Sequence, residues 1–399
     1  MTARPHEAKQ MLDLSARLAL RAWGNVEPNP LVGAVIVRDG TIIGMGHHTR
    51  FGEMHAERMA INDCIARGND PRGATCYVTL EPCTHMGKQP PCTEAIINAG
   101  IAHVVYACAD PHNLAAGGAN ILHAAGIHVQ QSAESELACA ISEPFRKRVI
   151  TGLPWVTAKW AQTIDGRIAT RTGSSKWISC PQSRARVHRW RARTDAILCG
   201  LGTVAVDDPQ LTARDVPRVR RVATRVVADA NLDIPLQCNL VQSAREIPTI
   251  LACDAASAEA GINASKREQL ESTGVIVLPV KPKHAPSVTF AKPGGSFVDM
   301  HEMLRQLWDQ HSIASVLVES GAGLLGSLIE ADLIDEALVY IAPLLLGDDL
   351  ARSVATGRVA DSLSAGRKFE LRRVKQIGTD VELLFRRPRT QADAARLHA

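Results

Sequence analysis

The stretch from His55 to Cys92 constrains this chain most strongly, because its polar residues can together hold a metal ion. His55 opens the tripeptide His-Ala-Glu, Cys83 follows a proline, and Cys92 follows a pair of prolines. One imidazole and two thiolates form a borderline-soft ligand set, which suits Zn²⁺ and leaves a fourth position open. The sequence therefore predicts that His55, Cys83 and Cys92 bind one zinc ion.

Glu57 lies two residues after His55, too close to be an obvious fourth ligand but well placed to face the open position. In zinc deaminases, which hold their metal with one His and two Cys, a glutamate that is not a ligand carries the protons. We therefore predict that Glu57 is catalytic. Two other interpretations stay open: a structural zinc site completed by Cys76 or His85, and a helix-entry histidine beside two buried free thiols.

The spacing of the two cysteines departs from the common Cys-x-x-Cys pattern, because eight residues separate Cys83 from Cys92. The intervening residues must form a loop that returns Cys92 to the metal. Pro90 and Pro91 directly precede a helical run, which predicts that Cys92 lies at the N-terminus of a helix.

Composition excludes several classes of protein. The 399 residues, 46% hydrophobic and 22% charged, are typical of a globular chain with two domains. With 45 basic and 41 acidic residues, the net charge of +4 favours neither nucleic acid nor a membrane surface as a partner. Ten irregularly spaced cysteines indicate a reducing compartment, and no apolar run approaches the roughly 20 residues that span a bilayer. We expect a cytoplasmic protein that acts on a small molecule.

Strand and helix patterns alternate along the whole chain, which predicts an α/β architecture. Gly and Pro at residues 151–154 interrupt a helical pattern before a new strand, so we place a domain boundary there. We therefore predict domains at 1–150 and 151–388, followed by a frayed tail at 389–399. The first contains helices near 6–23, 55–67, 92–98 and 134–149, and strands near 31–37, 41–46, 76–80, 104–108 and 127–130. The second contains a largely parallel sheet with strands near 155–160, 196–199, 225–229, 248–253, 275–280, 315–319 and 337–341.

Two glycine-containing turns in the second half follow predicted strands. They are Gly200-Leu201-Gly202-Thr203 and Gly321-Ala322-Gly323. Such turns allow backbone N–H groups to approach a phosphate at a helix N-terminus, although each alone is also consistent with an ordinary tight turn. Neither turn completes G-x-G-x-x-G with an acidic residue about 20 positions later, so a Rossmann dinucleotide site is not supported.

Two sets of motifs resemble the bifunctional deaminase-reductase family of riboflavin biosynthesis, and together they extend over residues 6–386. The family's deaminase half, whose loop has the longer Cys-to-Cys spacing, resembles this chain at Asn29–Val37, His55–Glu57, Leu80–His85 and Pro90–Cys92. Its reductase half resembles the chain at Lys159, Thr163–Ala169, Ser175–Ile178, Gly202–Val204, Asp207–Thr212 and Val318–Gly321.

The resemblance implies a cytidine-deaminase-like three-layer domain followed by a dihydrofolate-reductase-like domain. It implies zinc-dependent removal of the exocyclic amine of a diaminohydroxypyrimidine ribosylamine 5-phosphate, and then NADPH-dependent reduction of the ribosyl group to ribityl. It also implies a homo-oligomer that forms through the reductase domain. The alternative is a nucleoside or tRNA deaminase with an accessory domain, which the 4% aromatic content and balanced charge disfavour.

The resemblance also assigns residues to the two sites. His55, Cys83 and Cys92 match zinc ligands, Glu57 matches the proton carrier, and Asn29 matches a substrate contact. The NADPH side matches Ala161, Trp177, Thr203, Asp207, Gly321, Ala322, Gly323, Leu324, Leu325, Gly326 and Ser327. The substrate side of the reductase matches Ser175, Arg191, Leu211, Arg214 and Glu319, with the arginines suited to a phosphate by their charge and fork geometry.

Two positions near the expected cofactor site depart from the family pattern. Ser320 stands where a glycine is usual, and Ala230 stands where a small polar residue is usual. The Ser320 hydroxyl can donate to a cofactor phosphate, so we expect it to tune NADPH binding rather than abolish it.

Overall fold

The computed structural model describes residues 5–112, 115–283, 297–357 and 360–388. The chain forms two compact units; the first ends at Leu153 and the second begins at Pro154. The expected tail at 389–399 lies outside the described residues. None of the helices in the described part of the chain has both the length and the apolar character needed to cross a membrane.

The described residues of the first unit form five strands and five α-helices. In chain order they are α1 (Pro5–Ala19), β1 (Gly33–Arg38), β2 (Thr41–His47), α2 (Ala56–Ala66), β3 (Thr75–Leu80), α3 (Cys92–Asn98), β4 (His103–Cys108), α4 (Gly118–Ala124), β5 (His128–Gln131) and α5 (Glu136–Thr151). The sheet order is β2-β1-β3-β4-β5, and β1 runs antiparallel to both of its neighbours. The pairs β3·β4 and β4·β5 are parallel.

Alternating side chains of these strands build a core on each face of the sheet, which makes the unit three layers thick. Ala34 and Ile36 of β1 pack with residues of α2, α3 and α4 on one face. Val35 and Val37 pack with residues of α1 and α5 on the other face. The three-layer α/β architecture expected for this half is therefore present.

Two glycines of β2 allow α2 to lie directly on the strand. A Cβ atom at Gly44 would lie 2.4 Å from the carbonyl oxygen of Ala60, and one at Gly46 would lie 2.4 Å from the Ala60 nitrogen. Any side chain at either position would push the helix away from the sheet. This close packing fixes the first turn of α2, which follows His55 and contains Glu57.

In the part of the second unit that the structure describes there are eleven strands and seven α-helices. In chain order they are β6 (Trp155–Gln162), β7 (Arg167–Ala169), α6 (Pro181–Arg191), β8 (Ala196–Gly200), α7 (Leu201–Asp207), β9 (Thr224–Ala228), α8 (Asn239–Gln242), β10 (Thr249–Asp254), α9 (Ala255–Glu259), α10 (Ala264–Ser272), β11 (Ile276–Val280), α11 (Met300–His311), β12 (Ser315–Val318), α12 (Ala322–Glu330), β13 (Glu336–Ile341), β14 (Arg352–Ser353), β15 (Glu370–Ile377) and β16 (Asp380–Arg386).

The main sheet of this unit has the order β11-β10-β9-β8-β12-β6-β13-β16-β15. Its strands are parallel from β11 to β13, and β16 and β15 extend it in antiparallel pairs. The expected largely parallel sheet is therefore confirmed. Parallel order brings the C-terminal ends of β8 and β12 to the same edge of the sheet, where both glycine turns begin.

The sequence patterns did not predict every element. The helix α6 lacks a regular apolar stripe, because its sequence PQSRARVHRWR contains only two large apolar side chains. The helix forms nevertheless, with Pro181 in its first turn, and buries Val187 against Leu338, Tyr340 and Leu384. Tertiary packing rather than local periodicity therefore specifies this helix.

Candidate active sites

The three predicted zinc ligands meet at the edge of the first sheet. Cys83 follows β3, His55 immediately precedes α2, and Cys92 is the first residue of α3, as the two prolines predicted. Their ligand atoms lie within 4.8 Å of one another. His55 Nδ1 is 3.5 Å from Cys83 Sγ and 3.3 Å from Cys92 Sγ.

These distances fit zinc. Tetrahedral bonds of about 2.3 Å to sulfur and about 2.0 Å to nitrogen place the two donor atoms roughly 3.6 Å apart. Both cysteines are buried, and the hydrogen bond between them lowers the pKa of Cys83 and raises that of Cys92. Neither Cys76 nor His85 belongs to the cluster found among the described residues, so a four-ligand structural site at those positions is not supported.

Glu57 is buried beside this cluster. Its side chain is hydrogen-bonded to Cys92, and the residue is only 3% exposed. Burial, followed by the charge of Cys83, raises the pKa of Glu57 to about 7, although His55 acts in the opposite direction. The positive charge of a bound metal ion would also favour the ionised form. The carboxyl group thus lies beside the three candidate ligands and does not belong to their cluster.

Asn29 is linked to the metal-site residues by hydrogen bonding to His48, a residue that the sequence analysis did not identify. His48 Nδ1 is 3.1 Å from the carbonyl oxygen of Met54, so this nitrogen carries the proton. His48 Nε2 then accepts a hydrogen bond from Asn29 Nδ2 at 3.2 Å, which leaves Asn29 Oδ1 free to accept from a ligand. The His48 ring contacts His55 edge-on, with centroids 5.4 Å apart. Its position just after β2, close in sequence to the predicted ligand His55, could have identified His48 as a candidate site residue.

A buried carboxylate supports the loops around the cluster. Glu81 accepts hydrogen bonds from the backbone N–H groups of Asp110 at 3.2 Å and Ala119 at 3.0 Å. A Cβ at Gly118 would lie 1.9 Å from the carbonyl oxygen of Pro82, so α4 begins in direct contact with the strand end that carries Cys83. These contacts anchor Glu81 and Pro82, the two residues that precede Cys83.

In the second unit, Glu319 lies at the end of β12 and forms a bidentate ion pair. Arg191 Nε and Nη2 donate to its two carboxylate oxygens at 2.6 and 2.9 Å. Lys159 Nζ lies 3.9 Å from the same carboxylate. Burial acts to raise the pKa of Glu319, but the charges of Arg191 and Lys159 prevail and hold it at about 2. Lys159 was part of the resemblance without an assigned role, and the structure places it in this charge cluster.

Arg191 also contacts the segment that carries Leu211 and Arg214. Its Nη1 atom donates to the carbonyl oxygen of Thr212 at 3.0 Å. Leu211 is buried and has a φ of +52°, while the Arg214 side chain folds back so that Nη1 donates to Gln210 Oε1 at 2.8 Å. Four of the five predicted substrate-side residues, all except Ser175, are thereby linked through Arg191 and Thr212.

The two glycine turns contact each other. The Gly321 amide donates to Thr203 Oγ1 at 3.2 Å, which joins the start of α12 to α7. A Cβ built at Gly202 or Gly323 would meet no atom within 4 Å. The backbone at both glycines therefore faces open space that a phosphate group can approach. The predicted cofactor residues Gly321, Ala322, Gly323, Leu324, Leu325, Gly326 and Ser327 all lie at the N-cap or in the first two turns of α12.

The other predicted reductase residues lie in separate segments. Asp207 ends α7 and is 3.0 Å from Lys176 Nζ, while Trp177 is 69% exposed and stacks against Arg184 with the guanidinium 4.5 Å from the ring centroid. The carbonyl oxygen of Ser175 accepts from Ile178, in the same loop. Ala161 lies on β6, paired with Tyr340 of β13. Within the described chain, neither Ala161 nor Ser175 is hydrogen-bonded or ion-paired to the Glu319 cluster.

The first unit has a three-ligand metal site on a three-layer domain, which defines a metal-dependent deaminase. The second unit has a mainly parallel sheet with an open pair of glycine turns, which defines a reductase. Residues 5–108 match the cytidine and deoxycytidylate deaminase zinc-binding region, and residues 154–383 match the RibD C-terminal domain. The chain belongs to the RibD family of riboflavin biosynthesis proteins. It is a bifunctional enzyme whose cofactors are zinc and NADPH.

Relatives match both halves together. The riboflavin biosynthesis protein RibD of Aquifex aeolicus is 37% identical over 381 residues, covering 95% of this chain and 98% of the relative. The RibD structure from Acinetobacter baumannii is 33% identical, with a TM-score of 0.78 over 97% of this chain and 100% of that one. A diaminohydroxyphosphoribosylaminopyrimidine deaminase/5-amino-6-(5-phosphoribosylamino)uracil reductase from Thermotoga maritima is 32% identical, with a TM-score of 0.77 over 96% and 99%. These matches confirm both expected domain folds and favour the bifunctional interpretation over a nucleoside or tRNA deaminase.

Proposed function

We propose that residues 1–150 hydrolytically deaminate 2,5-diamino-6-(5-phosphoribosylamino)pyrimidin-4-one. Residues 151–388 would then use NADPH to reduce the ribosyl group of the product to ribityl. The observation that carries this proposal is the convergence of His55, Cys83 and Cys92 with a buried, non-ligand Glu57. The Thermotoga maritima relative, which has both activities in its name, supports the choice of substrates.

In the deaminase half, we assign His55, Cys83 and Cys92 as the zinc ligands. A zinc ion held there would lower the pKa of its water and so make hydroxide available near neutral pH. Glu57 takes a proton from the attacking water and delivers it to the departing amine, so that one C–O bond forms, one C–N bond breaks and ammonia leaves. Asn29 Oδ1, directed by the hydrogen bond with His48, accepts from a donor on the pyrimidine or its ribosyl arm.

In the reductase half, we assign the NADPH phosphates to the open backbone around Gly202 and Gly323. NADPH supplies the hydride. Thr203 holds the Gly321 amide, which orients the start of α12 toward the cofactor. Trp177, Asp207 and Ala161 complete the cofactor side. Ser320 lies beside it, partly buried, and its hydroxyl donates to the carbonyl oxygen of Gly321 at 3.3 Å.

The two arginines of the substrate side have different tasks. Arg191 uses the Nε–Nη2 edge of its guanidinium on Glu319, so this edge cannot also bind a phosphate. Arg214 is exposed, and only its Nη1 atom takes part in the hydrogen bonds described. We therefore assign the bidentate phosphate contact to Arg214 and the anchoring of Glu319 to Arg191, with Ser175 and Leu211 lining the site.

A coupled assay tests this function. The protein receives the undeaminated pyrimidine phosphate with NADPH, and ammonia release and NADPH oxidation are followed with and without a zinc chelator. We expect the chelator to abolish both signals and pre-deaminated substrate to restore NADPH oxidation. Absence of oxidation with either substrate would overturn the reductase assignment, and ammonia release in the presence of chelator would overturn the zinc assignment.

We also propose that the chain forms a homo-oligomer through its reductase half. In the cross-strand register, Leu371 pairs with Phe385 and Val374 pairs with Leu383, so these side chains share one face of the sheet with Val381. Leu371 and Val374 are 53% and 58% exposed, so these strands present an exposed apolar surface across β15 and β16. A second copy of the same face would cover this surface.

Sedimentation measurements of the wild-type chain and of a Val374→Glu variant test this arrangement. We expect an oligomer for the wild type and dissociation of the variant with NADPH binding retained. A wild-type monomer at micromolar concentration would contradict the proposal. We further propose a cytoplasmic location, which the ten free thiols support, and fractionation of the native host checks it.

A further inference from the structure

His188 lies on α6, one helical turn before Arg191, and faces the segment from Gln210 to Arg214, which we call the 210–214 segment. Its Nδ1 atom is 3.2 Å from the carbonyl oxygen of Thr212 and also 3.2 Å from the backbone nitrogen of Arg214. One ring nitrogen therefore lies between a hydrogen-bond acceptor and a donor. Only one of these two contacts can be a hydrogen bond in any one protonation state of the ring.

The neighbouring contacts decide which bond forms. The Thr212 carbonyl already accepts from Arg191 Nη1 at 3.0 Å. The backbone N–H of Arg214, in contrast, has His188 Nδ1 as its acceptor among the hydrogen bonds of the described chain. A neutral His188 that carries its proton on Nε2 satisfies both groups, because Nδ1 then accepts from Arg214 while Arg191 satisfies Thr212.

Charges around the ring favour this neutral form. Burial first, and then the positive charges of Arg191 and Arg214, lower the pKa of His188 below its usual value. The Thr212 carbonyl and the carboxylate of Glu319 act in the opposite direction but do not prevail. Two arginines, one from its own helix and one from the facing segment, therefore oppose a third positive charge at this position.

We propose that His188 is a positioning residue of the reductase half, which fixes the backbone of the 210–214 segment so that Arg214 meets the substrate phosphate. This inference rests on the proposed assignment of Arg214 to the phosphate. His188 acts through the segment and not on the reacting atoms, so its loss weakens substrate binding more than it slows the chemical step. Protonation converts Nδ1 into a donor, which breaks the bond to Arg214 and weakens binding as the pH falls below the pKa of the ring.

The test compares three variants in the NADPH oxidation assay with pre-deaminated substrate. His188→Leu removes the acceptor, His188→Asn retains a polar atom near the position of Nδ1, and Arg189→Ala alters the exposed neighbouring position on the same helix as a control. We expect His188→Leu to raise KM about 10-fold with kcat changed less than about threefold, a change typical of one lost hydrogen bond. His188→Asn should recover most of the loss, and Arg189→Ala should resemble the wild type.

Two further readouts separate positioning from a purely structural role. The dissociation constant of NADPH, measured by fluorescence, should remain unchanged in His188→Leu, since none of the assigned cofactor residues lies on α6 or in the 210–214 segment. The wild-type KM should rise as the pH falls through the His188 transition, and this rise should be absent in His188→Leu.

An unchanged KM in His188→Leu would overturn the inference, as would equal losses in the Leu and Asn variants, weakened NADPH binding, or a pH dependence that persists without the imidazole. Inactive wild-type protein with this substrate would instead reject the proposed function itself.

Discussion

Glu57 and Glu319 are both largely buried carboxylates, yet their surroundings move their pKa values in opposite directions. Glu57 lies beside two cysteines and a histidine, and burial raises its pKa to about 7. Glu319 lies between Arg191 and Lys159, whose charges hold its pKa at about 2. Burial acts to raise the pKa in both cases, so the nature of the neighbouring charges determines the outcome.

This difference suggests a different task for each residue. A carboxyl group that lies beside a metal site and has a pKa near neutral pH can receive a proton and release it again. A carboxylate that forms a bidentate ion pair with an arginine remains charged and fixes the position of its partner. The first arrangement suits proton transfer, and the second suits the orientation of a binding site.

The largest expected effect comes from removing a metal ligand. Cys92→Ala should lower the zinc content from about one ion per chain to nearly none, because two remaining protein ligands hold zinc weakly. Ammonia release should fall below detection. Cys64→Ala, which alters a buried thiol of α2 outside the cluster, should retain zinc and activity. Full zinc content in Cys92→Ala, measured by atomic absorption, would contradict the ligand assignment.

The next largest effect concerns Glu57. Glu57→Gln keeps the shape of the side chain but cannot carry a proton, so ammonia release should slow by roughly 10²- to 10⁴-fold. Zinc content should be unchanged, since Glu57 is not a ligand. Loss of zinc in this variant would show that Glu57 coordinates the metal, and the proposed role of Glu57 in proton transfer would then be wrong.

For the free energy of unfolding, we expect the Glu319 variant to lose more than the Glu57 variant. Glu319→Gln leaves Arg191 and Lys159 without their carboxylate, and we expect a loss of about 3 kcal/mol in the free energy of unfolding of the reductase half. Glu57→Gln breaks no ion pair in the described part of the chain and should change stability by less than about 1 kcal/mol. Glu268→Gln, at an exposed position of α10, is the matched control. Equal losses in the Glu57 and Glu319 variants, measured by denaturant unfolding, would refute the comparison.

A smaller effect should appear in the pH dependence of stability. Because the pKa of Glu319 is lowered from 4.5 to about 2, its ionised form stabilises the fold fully above about pH 4.5. This contribution is lost as the pH falls toward 2. The difference in unfolding free energy between wild type and Glu319→Gln should therefore be constant above about pH 5 and shrink below it. A difference that stays constant down to about pH 3 would show that the carboxylate is not held charged by its neighbours.

The two sites also differ in how far the sequence alone could predict them. His55, Glu57, Cys83 and Cys92 lie within one short stretch, and the type and spacing of these residues indicate their chemistry directly. Arg191 and Glu319 are 128 positions apart, and nothing local to either residue indicates that they form an ion pair. Their assignment depended on the resemblance to a family.

Local sequence patterns also failed to predict other features that depend on contacts between distant residues. The helix α6 has few apolar residues, so its arginines gave no helical signal, and His188 was overlooked with them. His48 was missed because a histidine at a strand end acquires meaning only when Asn29 and His55 are brought beside it by the sheet. The individual strands and helices of the first unit, in contrast, were predicted from local patterns, whereas its three-layer packing was expected only from the family resemblance and its strand order was not predicted.

The most direct test of this account measures the two half-reactions separately in Glu57→Gln and Glu319→Gln. Ammonia release is followed with the undeaminated substrate, and NADPH oxidation is followed with the pre-deaminated one. The account predicts that Glu57→Gln loses only ammonia release and that Glu319→Gln impairs only NADPH oxidation. If either substitution abolishes both half-reactions in folded protein, or if Glu57→Gln still releases ammonia at the wild-type rate, the assignment of separate tasks to the two glutamates is wrong.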